Sequence, residues 1–265
     1  MLRAYVATFV LNSTSISAAL RAIADSPQLT EVVGGAPTKW AISRFLAKLK
    51  DTDLLQKIMV LVGESLKELL PDLGDYTAMD SSDIKAWAKR THGTDPDSGT
   101  SVKTGTDGRK KFWYGYKTHL VADPVYEIPL AAYVTRANNS DSREFPPSME
   151  LAAPFNPTYV LADAGYDSKA NNAITEEHGA IPIIKRNPRG HTVPKPTEEW
   201  KDIYAKRSGI ERIFGRLKDF RRLNRLTLRG LEKVTIHCVT SVLTLMLWAL
   251  AALLLGSNEL IRCMI

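Results

Sequence analysis

Cysteine is scarce in this chain. Cys238 and Cys263 are the only two; they stand far apart and form no CxxC pair, so neither a disulfide framework nor a thiolate zinc site is expected, and a reducing compartment follows. The five histidines are scattered, with none of the spacings that build a zinc centre. A secretory signal is lacking as well, because Met1 to Val10 is short and no small-residue cleavage site follows an apolar core. No internal repeat is found. Two further shortages are local. Between Lys201 and Lys233 the acids Asp202, Glu211, Asp219 and Glu232 are heavily outnumbered by Lys and Arg, a basic field of the kind that meets phosphates. From Val234 to Leu255 charge disappears altogether, over a length that could span a bilayer. Thr235, His237, Thr240, Ser241 and Thr244 crowd its first half, however, and no Lys/Arg-rich flank suits an anchor. It reads as a fully buried C-terminal helix, with no membrane partner and a cytoplasmic location.

What is present is ordinary globular composition over 265 residues, enough for a substantial core, with a net charge of +6 that permits an anionic partner without demanding one. Residues 1–74 read as a small helical region for DNA binding or dimerisation. Ile16 to Ala24, Lys39 to Lys50 and Asp53 to Leu70 carry apolar residues near the helical period. Gly34-Gly35-Ala36-Pro37 breaks the chain before Thr38, a natural N-cap, and permits a helix-turn-helix; plain packing is the competing reading. From residue 75 to 265 the texture is mixed. Tyr76 to Asp80 is a strand ending in Asp80-Ser81-Ser82-Asp83, and Thr91 to Lys111 a polar loop. Phe112 to Ala122 and Ile128 to Thr135 are strands joined by a turn at Asp123-Pro124. Then come a helix from Ser142 to Ala153, a strand at Thr158 to Leu161, a helix from Lys169 to His178 and a strand at Ala180 to Ile184. That order predicts an α/β fold with a mixed sheet and helices on its faces.

Tyr204 to Lys218 (YAKRSGIERIFGRLK) reads as one helix. At roughly 100° per residue, Tyr204, Arg207, Glu211 and Lys218 fall within a sector of about 60°. Arg222 and Arg225 extend the stripe, and Ile210, Ile213, Phe214, Leu217 and Phe220 form the neighbouring apolar face. A solvated charged face with i,i+4 support would look similar. The functional alternative is a single carboxylate, Glu211, held in a row of cationic groups at the edge of a buried face. Asp80 and Asp163 both sit where a strand gives out, where α/β sheets assemble their sites, although a lone Asp there is commonly a turn former. Each has a second carboxylate nearby, Asp83 and Asp167, and Asp167 is placed to cap the helix from Lys169. Three carboxylates from two strands and a basic helix would suit two divalent cations holding a scissile phosphate.

Tyr204-x2-Arg207-x3-Glu211-x6-Lys218 matches in full the Y-x2-R-x3-E-x6-K signature of DDE transposases of the bacterial insertion-sequence 4/5 type. Asp163-Ala-Gly-Tyr166 resembles their second acidic motif, Met79-Asp80-Ser81-Ser82 their first, and Trp113 to Leu120 the strand that follows it. The resemblance implies a ribonuclease-H-like fold, with Asp80, Asp163 and Glu211 as catalytic acids binding two Mg²⁺ ions (or Mn²⁺). Tyr204, Arg207 and Lys218 are implied DNA contacts, and Arg222 and Arg225 are added to them from the stripe. The implied function is transposition: cleavage at the ends of an insertion sequence and strand transfer into target DNA, by a homodimer bridging two ends. A transposase-derived DNA-binding protein, or a metal-dependent nuclease without strand transfer, stays open beside it.

Overall fold

Ser15, Ser26, Thr38, Ser168 and Thr197 each accept a hydrogen bond from the backbone N–H three residues on, and each begins a helix. The structure, a computed structural model, describes residues 1–87, 97–104, 108–188 and 193–263. Five helices come first: α1 (Leu2–Val10), α2 (Ile16–Ala24), α3 (Pro27–Val33), α4 (Lys39–Leu49) and α5 (Leu54–Leu69). Two of them, α1 and α3, are absent from the sequence reading. Both are short, and Pro27 at the first turn of α3 is a helix starter that periodicity alone does not register. At Gly34 the backbone turns left-handed (φ 77°) and ends α3, a conformation that suits glycine.

The strands follow as β1 (Tyr76–Lys85), β2 (Gly99–Thr104), β3 (Lys110–Asp123), β4 (Ile128–Arg136), β5 (Tyr159–Ala162) and β6 (Ile181–Ile184). They are interleaved with and followed by α6 (Phe145–Ala152), α7 (Lys169–Glu177), α8 (Glu198–Ala205), α9 (Ser208–Phe220) and α10 (Leu231–Leu254). Among the described residues these strands form one six-stranded mixed sheet, the ribonuclease-H-like arrangement that the motif order implies. β3 runs antiparallel to β1 on one side and to β4 on the other, and β5 and β6 continue the sheet in parallel beyond β1. Strands β5 and β6 are short and flanked by helices, as parallel strands require.

Two differences from the sequence reading matter for the site. β1 does not stop at Asp80 but runs on to Lys85, because Asp80 to Lys85 find partners along Leu120 to Gly115 of β3. Asp80 is therefore a mid-strand residue. Part of the expected polar loop is strand too: Gly99–Thr104 pairs with the start of β3. Lys110 and Lys111 already belong to β3, and residues 91–96 and 105–107 of that loop lie outside the described residues.

α10 is apolar on nearly all sides and is the one helix among the described residues long and apolar enough to cross a membrane. It is instead mostly buried: Val234, Cys238, Val242, Leu243 and Met246 are closed off from solvent. It packs on β4, on α5 and on α1, so a single apolar cluster runs from Ala4 to Ile261 through the N-terminal helices and the sheet. Three buried hydroxyls in its first half find carbonyl partners. Thr240 and Thr244 donate to carbonyls one turn back, and Ser241 Oγ donates to the Arg221 carbonyl at 2.8 Å.

Candidate active site

The parallel register of β1 and β5 decides which acids meet. Met79 is paired with Ala162, so the next residue on each chain, Asp80 and Asp163, emerges from adjacent strands at the same level. Period two puts Asp80 on the same face as Tyr76 and Ala78, and Tyr76 stacks on Tyr159 of β5 with ring centres 5.1 Å apart. Asp80 Oδ1 accepts the Ser81 N–H at 2.7 Å, and Asp163 Oδ1 accepts the Gly165 N–H at 2.8 Å. Burial pushes the Asp80 carboxyl up to about 6, with the Asp163 charge adding to the rise; the Ser81 N–H and Arg207 pull against it.

The neighbouring acids turn elsewhere. Asp83 pairs with Lys103 at 2.8 Å. Asp167 accepts the Asn187 N–H at 2.8 Å and lies 3.7 Å from Arg186, while Ser168, not Asp167, caps α7.

Tyr204 and Lys218 do not share one helix. The chain breaks at Lys206 and Arg207 into α8 and α9, joined by tight bonds in which Arg207 N–H donates to Tyr204 and Ile210 N–H to Arg207, each at 3.0 Å. Sequence periodicity runs straight across such a break because a single turn of tightened helix shifts the apolar pattern little. The close approach of α9 to the β3–β4 turn depends on Gly209, where a Cβ would lie 2.0 Å from the Pro124 carbonyl oxygen. Here glycine is demanded by contact, not by backbone angle.

The break places Arg207 between two acids. Its Nη1 donates to Asp80 Oδ2 at 3.1 Å and its Nη2 to Glu211 Oε1 at 2.8 Å. Arg207 and Asp80 are mostly enclosed, with side chains 15% and 20% exposed, whereas Glu211 is 64% exposed at the outer end of the bridge. Arg207 also lies 5.8 Å from the centre of the Tyr204 ring, which stacks on Trp200 at 4.8 Å. Trp200 and Tyr204 form one wall of a groove of about 900 Å³ whose other lining includes Lys169, Lys185, Arg186 and Lys195. Lys218, two turns beyond Glu211, is partly buried, which lowers its pKa, while the charges of Asp83 and Asp80 oppose the drop.

Arg222 and Arg225 do not continue the row. α9 ends at Phe220, and Arg222 takes a left-handed conformation (φ 63°) that turns it inward. Only 1% exposed, it lies over the Phe9 ring at 5.6 Å. Arg225 is exposed but donates to the Asn12 carbonyl at 2.8 Å, tying this loop to the N-terminal helices. Other members of the basic run are also internal. Arg216 is enclosed beside Glu127, bonding its carbonyl and lying 3.5 Å from its carboxylate, and Arg212 reaches the same carboxylate at 2.8 Å. Much of the local positive charge is thus structural, because α9 has core contacts on more than one side.

One supporting group escapes the sequence reading. Asp141, in the turn after β4, accepts Ser81 Oγ at 2.7 Å and Lys117 Nζ at 3.0 Å, bracing β1 directly beside Asp80. The signal for it was a lysine inside an otherwise apolar strand, since a nearly buried cation needs a partner.

For divalent cations the donor chemistry fits. Asp80, Asp163 and Glu211 offer hard oxygen ligands, and a cationic group, the Arg207 guanidinium, already bridges two of them. Among the described residues, however, no three acids, histidines or cysteines converge closely enough to hold one ion. Asp80 and Asp163 are side by side, and Glu211 joins them through Arg207.

A family model described as Transposase DDE domain matches residues 74–247, more than half of the chain and the whole of the sheet with its acids. No curated protein matches the chain, and no solved structure does.

Proposed function

Because the chain belongs to the Transposase DDE domain family, we propose that it cuts DNA at the ends of an insertion sequence and joins the freed ends to target DNA. The observation that carries this reading is the meeting of Asp80 and Asp163 on adjacent strands, with Glu211 brought to the same edge by α9. Asp80, Asp163 and Glu211 would hold two Mg²⁺ ions, which when bound supply an activated water and stabilise charge on the leaving oxygen. Water attacks the scissile phosphorus and the 3′ oxygen leaves, taking a proton to become a hydroxyl. That hydroxyl then attacks a phosphodiester of the target in the same cleft, and the target's own 3′ oxygen leaves.

The chain's side chains orient these steps. Arg207 and Lys218 neutralise and position the phosphates flanking the scissile one. Tyr204 and Trp200 provide an aromatic wall, and the cations of the adjoining groove give the strand a path away from the acids. The buried Arg222 takes no part in this proposal. Two copies of the chain, each engaging one end, would hold the ends together for joining.

A cleavage assay with purified protein, Mg²⁺ and a duplex carrying one end of the DNA segment that encodes the protein tests the reading. Wild type should nick at the end and, given target plasmid, produce joined product. Asp80→Asn, Asp163→Asn and Glu211→Gln should each abolish both while retaining duplex binding. Nicking without joined product at any target concentration would reduce the protein to a nuclease, and binding without nicking to a DNA-binding descendant.

A further inference from the structure

Arg207 is placed unlike a residue whose only partner is DNA. Its two terminal nitrogens engage two different carboxylates, Asp80 at 3.1 Å and Glu211 at 2.8 Å. A phosphate-binding arginine kept free for its ligand would sit in solvent, yet this side chain is only 15% exposed. The two carboxylates belong to different elements, β1 and α9, so the guanidinium holds α9 to the sheet at the point where the reaction is proposed. We propose that Arg207 is an internal stand-in for the divalent cation, released from the acids by a DNA phosphate, so that metal capture depends on DNA binding. This rests on the reading of Asp80, Asp163 and Glu211 as metal ligands.

Three observations support it. A guanidinium presents paired N–H donors in a planar fork, and a phosphodiester offers acceptor oxygens with spacing like that of a carboxylate. A DNA backbone entering the cleft can therefore exchange with Asp80 and Glu211 at little loss in hydrogen bonding. Next, Arg207 occupies the joint between α8 and α9, outside either helix, with its guanidinium 5.8 Å from the centre of the Tyr204 ring. Finally, Glu211 is 64% exposed and reaches the other acids only by way of Arg207. Once the guanidinium leaves, Asp80 and Glu211 have both lost their shared cation, a charge that a divalent cation can replace. The consequence is an order of events: without DNA the cation must compete with two ion pairs, and with DNA it need not.

The test is Mn²⁺ binding by the full chain without DNA, followed through loss of the free-ion electron paramagnetic resonance signal. Arg207→Gln should bind Mn²⁺ roughly tenfold more tightly than wild type, the factor that a partly buried ion pair can supply. Arg207→Lys, which keeps the charge but cannot bridge two acids, should fall between them. Lys206→Gln is the control for net charge: Lys206 stands beside Arg207 but over the Tyr76 ring at 4.9 Å. Its affinity should stay within about twofold of wild type, since a solvent-exposed charge is well screened. Equal affinity in wild type and Arg207→Gln, or an equal gain in Lys206→Gln, overturns the stand-in role. Mn²⁺ binding that survives Asp80→Asn overturns instead the metal reading on which it rests. For the DNA half, affinity for a labelled 30-bp duplex is measured in Ca²⁺ and in EDTA. Linkage requires Ca²⁺ to favour the duplex more in wild type than in Arg207→Gln; equal ratios overturn the release by DNA.

Discussion

Replacing Asp80 by Asn should make the protein more stable at pH 8 while removing its proposed chemistry. The carboxyl of Asp80 is raised from 3.8 to about 6, chiefly by burial, with the Asp163 charge assisting. A folded-state pKa above the unfolded one means that the folded protein holds this proton more tightly. The stabilisation is complete below about pH 4 and is lost as pH rises through 6, so the ionised site is a burden at neutral pH. At about 1.4 kcal/mol for each tenfold change in proton affinity, the full burden is about 3 kcal/mol, and 1–3 kcal/mol is a fair working range after relaxation. Asparagine keeps the shape but only one acceptor oxygen, enough for the Ser81 N–H or for Arg207 and not for both, which holds the gain below the full figure; it carries no charge to desolvate. For a chain of this size the gain corresponds to roughly 3–8 °C in melting temperature. Thermal melts of wild type and Asp80→Asn in EDTA at pH 8, 6 and 4.5 measure it: the gap should be widest at pH 8 and close toward pH 4.5. Mg²⁺ at pH 8 should narrow it again by binding wild type alone. If Asp80→Asn melts at or below wild type at pH 8, or the gap ignores pH, the account of a strained carboxylate pair is wrong.

Other substitutions probe the elements around this pair. Lys218→Ala should weaken binding to all duplexes about equally and lower the salt slope by about one, read by fluorescence anisotropy across a salt series; a loss confined to one sequence would count against a backbone contact. Gly209→Ala should cost about 1–3 kcal/mol in urea unfolding and slow cleavage, because its Cβ would lie 2.0 Å from the Pro124 oxygen and push α9, with Glu211, off the sheet. Glu127→Ala should cost about 3–5 kcal/mol by the same unfolding measurement, since it strands the enclosed Arg216 without its carboxylate; a change below 1 kcal/mol would show that Arg216 finds water.

The sequence alone determined a good deal. The β-rich runs Phe112 to Ala122 and Ile128 to Thr135, the break at Gly34, and the helical run of Lys169 to His178 are local patterns, and local patterns survive into the fold. The motif order likewise marks the chain as a DDE transposase relative, because residue types at fixed spacings are carried by the chain itself. Burial direction is different. A run of arginines reads as a basic surface, but whether a guanidinium faces water depends on what packs over it, and that is supplied by residues far away. Arg222 turns inward because α1 brings Phe9 to it, and Arg216 because the β3–β4 turn brings Glu127. Register is the other quantity decided in three dimensions. No spacing between Asp80 and Asp163 states that Met79 pairs with Ala162, yet that pairing sets the two acids side by side while Asp83 and Asp167 go to Lys103 and to Arg186. The bridge from Arg207 to Asp80 and Glu211 needed both: a helix break too short to disturb the apolar period, and a sheet edge assembled from strands distant in the chain.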